Sequence, residues 1–332
     1  MFLKVVEILQ LKHLNNIGFS NRFSSKFSEL IYKVFRFFMF LGVGFIVLYP
    51  ILYMISAALR PASQIYDKSI IWIPKSLTLE NIKFAAENMN YWKTLTKTVG
   101  VVLISTVLQC ITCSLTAYGF AKFNFKGKKI LFACVLFTLI IPPQAINLPM
   151  YISYVHFDFF GLGQIGRLFG EPLTVSVVDT IFPNVISTLF AQGLRAGLFI
   201  YMYHQYYRNL PVELSDAACI DGAGFMKTYL RIMWPNAGPI TLVTFLLSFV
   251  WYWNDYIYTA LMLKNFQPIS VVLANFQSYL QAFRIDGDAL NSAQMSVYSQ
   301  AACLLYILPP LLLYTVLQNK FTKSIAKVGI VG

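Results

Sequence analysis

Two ionisable residues lie inside long apolar stretches of this sequence of 332 residues, and they mark where its chemistry would take place. Arg195 stands between Gly193 and Gly197, and Asp255 lies in a separate apolar stretch. An ionisable group inside a hydrophobic segment is costly and usually faces the interior of a helix bundle or a water-filled path. A guanidinium on such a path can hold a carboxylate or a sulfate. The alternative is an internal salt bridge or carbonyl contact that packs the helices.

The residues before Asp255 are aromatic and polar, because Trp251, Trp253 and Asn254 precede it. Aromatic faces suit the apolar faces of sugar rings, but such a segment is also typical of a packed core or of the aromatic belt of a membrane protein. We therefore treat Arg195, Trp253, Asn254 and Asp255 as candidates for a solute path. Helix packing remains the alternative for each of them.

The sequence lacks the motifs that would make this chain an enzyme. It contains no Gly-x-x-x-x-Gly-Lys-Ser/Thr phosphate loop, no His-Glu-x-x-His pair and no Gly-x-Ser-x-Gly elbow. Its three histidines are scattered, and Cys110 and Cys113 lie in an apolar stretch where thiols act as small hydrophobic groups. We predict that the chain itself carries no catalytic residue, metal or cofactor.

The composition predicts an integral membrane protein. Hydrophobic residues make up 57% of the chain, charged residues 12%, and the mean hydropathy is +0.61. A span needs about 20 mainly apolar residues, and backbone groups in lipid must be satisfied internally, so each span should be helical. Six windows qualify: Phe37 to Leu59, Thr98 to Ala121, Ile130 to Tyr154, Thr180 to Tyr207, Pro239 to Leu263, and Ala301 to Gln318. Two proline pairs, Pro142-Pro143 and Pro309-Pro310, should kink or break their helices.

Basic residues predict the orientation of these spans. They cluster before the first window, after the second and after the sixth: Arg22, Lys26, Lys33, Arg36, Lys122, Lys126, Lys128, Lys129, Lys320, Lys323 and Lys327. These connections and both termini are therefore predicted to be cytoplasmic. The net charge of +12 is explained by such flanks meeting anionic membrane lipid, and no nucleic-acid-binding module is present in the sequence.

The first 33 residues differ from the rest. Phe2, Val5 and Leu9 recur at near-helical spacing with Lys4 and Lys12 between them, which is typical of a helix lying in the membrane interface. A signal peptide is the less suitable reading, because charges interrupt any apolar core. We thus divide the chain into an N-terminal basic amphipathic segment, 1–33, and a transmembrane domain, 34–332.

A short polar helix-turn-helix is predicted between the fourth and fifth windows, in residues 208–235, which we call the 208–235 loop. Pro211 suits the first turn of a helix, Glu213 favours its N-terminal end, and Gly222 can take the left-handed conformation that closes it. Ala217 and Ala218 are small enough for a partner's surface to approach closely. By the orientation above, this loop lies in the cytoplasm.

The loop resembles the EAA loop of the permease subunits of binding-protein-dependent ABC importers. That pattern is Glu-Ala-Ala, three residues, Gly, nine residues, Ile-x-Leu-Pro. The spacing is kept here from Asp216 through Gly222 to Ile232 and Pro235, with Asp216 for the Glu and Trp234 for the Leu. The Trp253-Asn254-Asp255 run and the tail from Gln318 narrow the resemblance to carbohydrate-type permeases related to the smaller membrane subunit of the maltose importer. It covers roughly Tyr32 to the C-terminus.

This resemblance implies a fold, partners and a mechanism. The fold class is all-α, with six spans and a cytoplasmic hairpin, in a bacterial cytoplasmic membrane. The partners are a homologous second permease, two ATPase subunits that bind ATP and Mg, and an extracytoplasmic binding protein that delivers an oligosaccharide. The 208–235 loop would enter the ATPase cleft and move as a lever during alternating access. Its coupling residues would be Glu213, Asp216, Ala217, Ala218, Asp221, Gly222, Ala223 and Pro235.

Two other functions stay open from the sequence. An ABC permease for another solute class would share the loop but would lack the Trp-Asn-Asp run. A secondary transporter driven by an ion gradient would show an inverted repeat, broken helices and intramembrane acids. Arg195 adds a further prediction, since the family usually carries neutral sugars: the solute is an acidic oligosaccharide.

Overall fold

The computed structural model describes the backbone of residues 2–330 except 66, 68, 71, 72, 160, 171, 172, 266, 286 and 287. Side chains are described from residue 28 to residue 324, apart from those positions and 164, 167–169, 219 and 285. This part of the chain is mostly helical, with one two-stranded hairpin. The helices are α1 Phe2–Ala58, α2 Glu80–Asn88, α3 Tyr91–Lys122, α4 Lys128–Phe137, α5 Pro143–Val155, α6 Phe182–Leu189, α7 Ala196–Asn209, α8 Glu213–Ile220, α9 Phe225–Thr228, α10 Trp234–Asn236, α11 Gly238–Asn254, α12 Ile257–Met262, α13 Ile269–Ala282 and α14 Ser292–Ile330, and the strands are β1 Arg284–Ile285 and β2 Asp288–Ala289.

Three helices among the described residues are long and apolar enough to cross a membrane: Ser28–Ala58, Tyr91–Lys122 and Ser292–Ser324. A fourth is added if the pair Phe225–Asn236 and Gly238–Asn254, bent by 77°, counts as one span. Hydrophobic runs of this length can close every backbone hydrogen bond within the helix, which the interior of a bilayer requires. The prediction of an integral membrane protein is therefore confirmed, while six separate membrane-length helices are not found.

The other predicted windows are interrupted helices. The third is divided between α4 and α5, the fourth between α6 and α7, and the fifth between α11 and α12. All three windows are largely helical, as predicted, but the breaks within the fourth and fifth were not predicted. Only the first interruption was anticipated, because α5 begins at Pro143 directly after Pro142.

Pro309 and Pro310 do not break their helix, although a kink or a break was predicted there. Both lie inside α14, which continues from Ser292 to Ile330. A proline removes one backbone hydrogen bond and crowds the preceding turn. Here α14 packs along α11, α1 and α13, and this tertiary packing holds the helix across the proline pair.

Helix α3 is the centre of the bundle. It packs against α7, α11 and α6, and 44% of its most apolar window is buried, compared with 6% for α1. Its inner face is polar, with Gln109 and Ser114 fully buried. A buried polar side chain needs a hydrogen-bond partner, and these two find theirs outside α3, at the Leu194 carbonyl and the Tyr207 hydroxyl, so they tie α3 to neighbouring segments.

The predicted N-terminal segment 1–33 forms the first part of α1 without a helix break before Ala58. Most of its side chains fall outside the described residues, so its position in the membrane interface stays a prediction. Two further helices, α2 and α13, lie before α3 and after α12 in the chain and pack beside α14. The connection between α13 and α14 contains the β1–β2 hairpin, in which Arg284 pairs with Ala289.

Candidate solute path and the 208–235 loop

Two of the helix interruptions lie at similar distances from the 208–235 loop. Helix α7 has 14 residues and α11 has 17, so they rise about 21 Å and about 25 Å from the side of the 208–235 loop to the breaks that precede Ala196 and follow Asn254. Irregular backbone at membrane depth is tolerated where it is buried in protein or lines a water-filled cavity. The two breaks are therefore the best candidates for a solute path.

A buried hydrogen-bond network holds the α6–α7 break. Gln109 Nε2 on α3 donates to the Leu194 carbonyl at 2.6 Å, and the Leu194 N–H donates to the Tyr252 hydroxyl at 3.0 Å. The Tyr252 hydroxyl in turn donates to Gln109 Oε1. The loop backbone is thus fixed by α3 and α11 together, and both Ala191 and Arg195 take left-handed conformations, with φ of 54° and 59°.

The glycines beside Arg195 serve close helix contact. A Cβ on Gly193 would meet Gln109 Oε1 at 2.6 Å, and a Cβ on Gly197 would come closer still to Thr138 Oγ1, beside the carbonyl of Val135. Contacts shorter than 3.0 Å hardly ever occur for real Cβ atoms, so both positions favour glycine for packing. The absence of a side chain at Gly193 lets α3 and α11 approach closely, and its absence at Gly197 does the same for α4. From the sequence alone, glycines required for close packing cannot be distinguished from glycines that leave room around the Arg195 guanidinium.

Asp255 stabilises the second break. Its Oδ2 accepts hydrogen bonds from the Thr259 backbone N–H at 2.8 Å and from Thr259 Oγ1 at 2.5 Å, which caps α12. Its backbone carbonyl accepts a hydrogen bond from Ser270 Oγ at 2.8 Å. The packing interpretation of Asp255 therefore accounts for its carboxylate, and the residue also forms part of the wall described next.

A cavity of about 640 Å³ opens between the two breaks. Its wall includes residues from α3, α4, α5, α6 and α7, and it contains Arg195, Tyr252, Asp255 and Tyr258. Arg195 is exposed, and its Cζ lies 5.7 Å from the ring centroid of Trp251. The structure thus brings two of the four candidate residues, Arg195 and Asp255, to one cavity.

Trp253 and Asn254 lie away from this wall. Trp253 is 1% exposed and its ring packs on Phe249 at a centroid distance of 5.7 Å, within the hydrophobic core. Asn254 accepts a hydrogen bond from the Tyr306 hydroxyl at 2.9 Å. Trp253 faces the core because successive helical residues point about 100° apart and Tyr252 takes the side facing the cavity.

Three polar residues of the site were not singled out from the sequence: Gln109, Tyr252 and Tyr258. Gln109 carried a usable signal, since it is a lone amide inside a window that holds no charge. Tyr252 and Tyr258 carried none, because tyrosine is common throughout this chain.

The 208–235 loop folds as a helix, a turn and a second helical segment. Helix α8 ends at Ile220, and Gly222 in the turn that follows has a φ of 70°, which confirms the predicted left-handed conformation. The Ala223 N–H bonds back to the Ala218 carbonyl at 2.9 Å, and the Asp221 N–H to the Ala217 carbonyl at 3.0 Å. This pattern satisfies carbonyls at the end of α8, as in a Schellman motif.

The candidate coupling residues divide into two groups. Among them Glu213, Asp216, Ala217, Asp221, Gly222 and Pro235 are exposed, and Ala223 is half-buried. Ala218 is only 2% exposed, so it packs within its own chain and cannot offer the surface expected of it. Ile220 was overlooked, although it is 87% exposed at the tip of α8. Val212, Met226 and Leu230 in the same loop are also exposed, so the loop presents several apolar side chains to a partner's surface.

Aromatic contacts anchor the second segment to the bundle. Tyr118 on α3 stacks on Phe225 with ring centroids 5.2 Å apart. The Tyr229 hydroxyl donates to Ser114 Oγ at 3.1 Å, and Ser114 also hydrogen-bonds the Tyr207 hydroxyl at 2.6 Å. A π-helical turn, Tyr229–Met233, follows α9, and the segment then meets α11 at 77°. The loop is therefore tied to α3 and α7, the helices that border the cavity.

Membrane-length helices, broken helices around a deep cavity and an exposed helical loop define a polytopic membrane transport subunit. The model of one family, described as binding-protein-dependent transport system inner membrane component, matches residues 110–327, and the chain belongs to that family. As a member, it is a membrane permease subunit of an ABC importer and not an enzyme, since separate ATPase subunits hydrolyse ATP. This membership decides against the secondary transporter, even though broken helices, one of its expected marks, are present.

The chain is similar to permeases named for sugar transport. The arabinooligosaccharides transport system permease protein AraQ of Halalkalibacterium halodurans is 27% identical, over 68% of this chain and 74% of its own length. The melibiose/raffinose/stachyose import permease protein MelC of Bacillus subtilis is 27% identical, over 80% of this chain and 86% of its own length.

A solved structure shares the fold. It is the crystal structure of a bacterial ABC transporter involved in the import of the acidic polysaccharide alginate, with a TM-score of 0.65 and 17% identity. The match covers 89% of this chain and 98% of that chain.

Proposed function

We propose that this chain is the permease subunit of an ATP-driven importer for a carbohydrate, an oligosaccharide delivered by an extracytoplasmic binding protein. The observation that carries the proposal is that relatives named for oligosaccharide transport match it over two thirds or more of both chains. The cavity supports it, because aromatic residues and amides line the wall beside apolar residues. Sugars present both apolar ring faces and hydroxyl groups, and such a lining suits them.

The proposed topology has six spans and cytoplasmic termini. Spans one, two and six are α1, α3 and α14, and the broken helices α4–α5, α6–α7 and α11–α12 supply the other three. The basic residues after α3 and near the end of α14 favour this orientation. The exposed apolar side chains of α1, from Leu30 to Leu52, would contact lipid or the homologous second permease.

The proposed coupling mechanism uses the 208–235 loop as a rigid lever in the cleft of an ATPase subunit. The exposed residues Asp216, Ala217 and Ile220 would form the contact. ATP-driven closure of the two ATPase subunits would move the loop, and the anchors at Phe225 and Tyr229 would pass that movement to α3 and α7. The cavity between the broken helices would then open alternately to each side of the membrane.

The proposal is tested by reconstituting the chain with its second permease, ATPase and binding protein in proteoliposomes. We expect ATP hydrolysis to rise when the binding protein is loaded with an oligosaccharide, and the labelled oligosaccharide to enter the vesicles. Panels of amino acids and inorganic phosphate serve as comparison solutes. Stimulation by an amino acid or phosphate and by none of the oligosaccharides would assign the importer to the other solute class.

A further inference from the structure

The positive charge of Arg195 in the solute cavity is not ion-paired with any described residue. Among the residues described for the cavity wall, Asp255 is the acid. The Asp255 carboxylate already accepts two hydrogen bonds from Thr259, as described above. An unneutralised guanidinium at membrane depth is costly, so the charge is expected to serve a bound group.

The backbone adds positive potential at the same wall. Arg195 is the N-cap of α7, a helix of 14 residues, and Ala196 and Gly197 line the cavity beside it. The N-terminus of a helix carries a partial positive charge and favours anions. The guanidinium and the helix terminus therefore both favour a negative group in this part of the cavity.

Arg195 is also held in place. The hydrogen bonds from Gln109 and to Tyr252 fix the preceding residue, Leu194, from both sides of its peptide unit. The indole of Trp251, 5.7 Å from Arg195 Cζ, supports the guanidinium through a cation–π contact and leaves its N–H donors free to bind a solute. A guanidinium held this way pays less ordering entropy when it binds, and this favours recognition.

We propose that Arg195 recognises a carboxylate on the transported solute, so that the substrate class is a uronate-containing oligosaccharide. This inference rests on the proposed carbohydrate function. The planar fork of a guanidinium matches the two oxygens of a carboxylate, and one cation balances one such group. The tyrosines Tyr252 and Tyr258 and the amides Asn184 and Gln192 in the same wall suit the neutral part of the sugar.

The cavity contains a native reporter for a binding test. Cys134 lines its wall and is exposed, so its thiol can be labelled with a maleimide. In the assembled complex, with the other four cysteines of this chain replaced by alanine, a solute in the cavity should slow that labelling. The probes are matched pairs of equal length: oligogalacturonate and oligomannuronate, each beside its carboxyl-reduced, neutral counterpart.

We expect at least one uronate to protect Cys134 at about tenfold lower concentration than its reduced counterpart, as one charge-assisted hydrogen-bond pair would give. Arg195→Gln should remove that preference, and Arg195→Lys should retain only part of it. Lys323→Gln is the control, since it removes one exposed positive charge on α14 outside the cavity.

Equal protection of the unaltered complex by uronates and by their reduced counterparts would overturn the inference, whether or not the Arg195 variants assemble. An unchanged preference in Arg195→Gln would also overturn it. Uptake of neutral oligosaccharides alone would overturn the acidic class and leave the carbohydrate importer standing. Failure of every sugar, neutral and acidic, would instead refute the proposed function.

Discussion

Replacing Gly193 by alanine is the sharpest test of the network that holds the broken helix. The added Cβ would meet the Tyr252 hydroxyl, Gln109 Oε1 at 2.6 Å and Thr188 Cγ2 at 2.9 Å. Overpacking of this kind costs about 1–3 kcal/mol. The hydrogen bonds of Leu194 to Gln109 and Tyr252 would lengthen, at about 0.5–1 kcal/mol each. We therefore expect Gly193→Ala to lower the free energy of unfolding by about 2–5 kcal/mol.

The measurement is the thermal unfolding midpoint of the detergent-solubilised complex, with solute uptake in proteoliposomes as the second readout. A loss of about 2–5 kcal/mol should lower the midpoint by at least several degrees. Uptake should fall as well, because Arg195 follows the displaced segment. Gly100→Ala and Gly119→Ala are matched controls in α3, since an added Cβ meets nothing within 4 Å at either position. A Gly193→Ala midpoint equal to those of the controls would refute the reasoning.

A second substitution, Tyr252→Phe, tests whether Gly193→Ala acts through a clash with the Tyr252 hydroxyl or through a general disturbance of the break between α6 and α7. Tyr252→Phe alone should destabilise the complex, because it removes the hydroxyl that Leu194 and Gln109 share. In combination with Gly193→Ala, the loss should be smaller than the sum of the two single losses, since the hydroxyl nearest to the added methyl is absent. Strict additivity would show that the two sites are not in contact.

Other predictions concern the 208–235 loop and the topology. Gly222→Ala should destabilise the loop by about 1 kcal/mol, since alanine disfavours a φ of 70°. It should also reduce the ATP hydrolysis that the loaded binding protein stimulates. Gly224→Ala is the control: its Cβ also meets open space, its φ is ordinary, and the variant should behave as unaltered protein. Ile220→Asp should abolish the stimulation while the permease still folds, because the side chain is 87% exposed; unchanged stimulation would remove Ile220 from the ATPase contact. A cysteine at Lys126 should react only with reagents on the cytoplasmic side, and one at Asp288 only with reagents outside, in a background without native cysteines; labelling of both from one side would contradict six spans.

The sequence was sufficient for features that local chemistry determines. The long apolar runs of α3 and α14 predict membrane-length helices without knowledge of their neighbours. Gly222 predicts the end of α8, because a left-handed residue is needed at that point and glycine adopts it at low cost. Pro142-Pro143 predicts the start of α5 for a similarly local reason.

Distant contacts determine the features that the sequence did not predict. No proline lies between Leu189 and Ala196, and the break there depends on Gln109 and Tyr252, which are 85 and 58 positions away from Leu194 in the chain. The continuity of α14 through its prolines depends on packing in the same way.

The sequence could not show which of the candidate residues Trp253, Asn254 and Asp255 would line the cavity, for a geometric reason. A run such as Trp-Asn-Asp predicts that the segment is functional, but the face that each residue takes is unknown until the helix is placed. Once α11 is placed, Trp253 belongs to the core and Tyr252 to the cavity.

The interruption between α6 and α7 frees its residues from a constraint that every residue of a continuous transmembrane helix must meet. Inside a span, every residue must keep helical geometry and suit either lipid or a neighbouring helix, which restricts replacement. Within residues 190–195, side chains of α3 and α11 hold the Leu194 backbone, and Phe190, Ala191 and Gln192 donate backbone hydrogen bonds back to α6. Gln192 and Arg195 line the cavity outside the regular repeat of either helix. Under the proposed function, exchanging these two side chains would change which solute is accepted and leave the membrane-crossing helices intact, and a small combinatorial library at the two positions would sample new substrates.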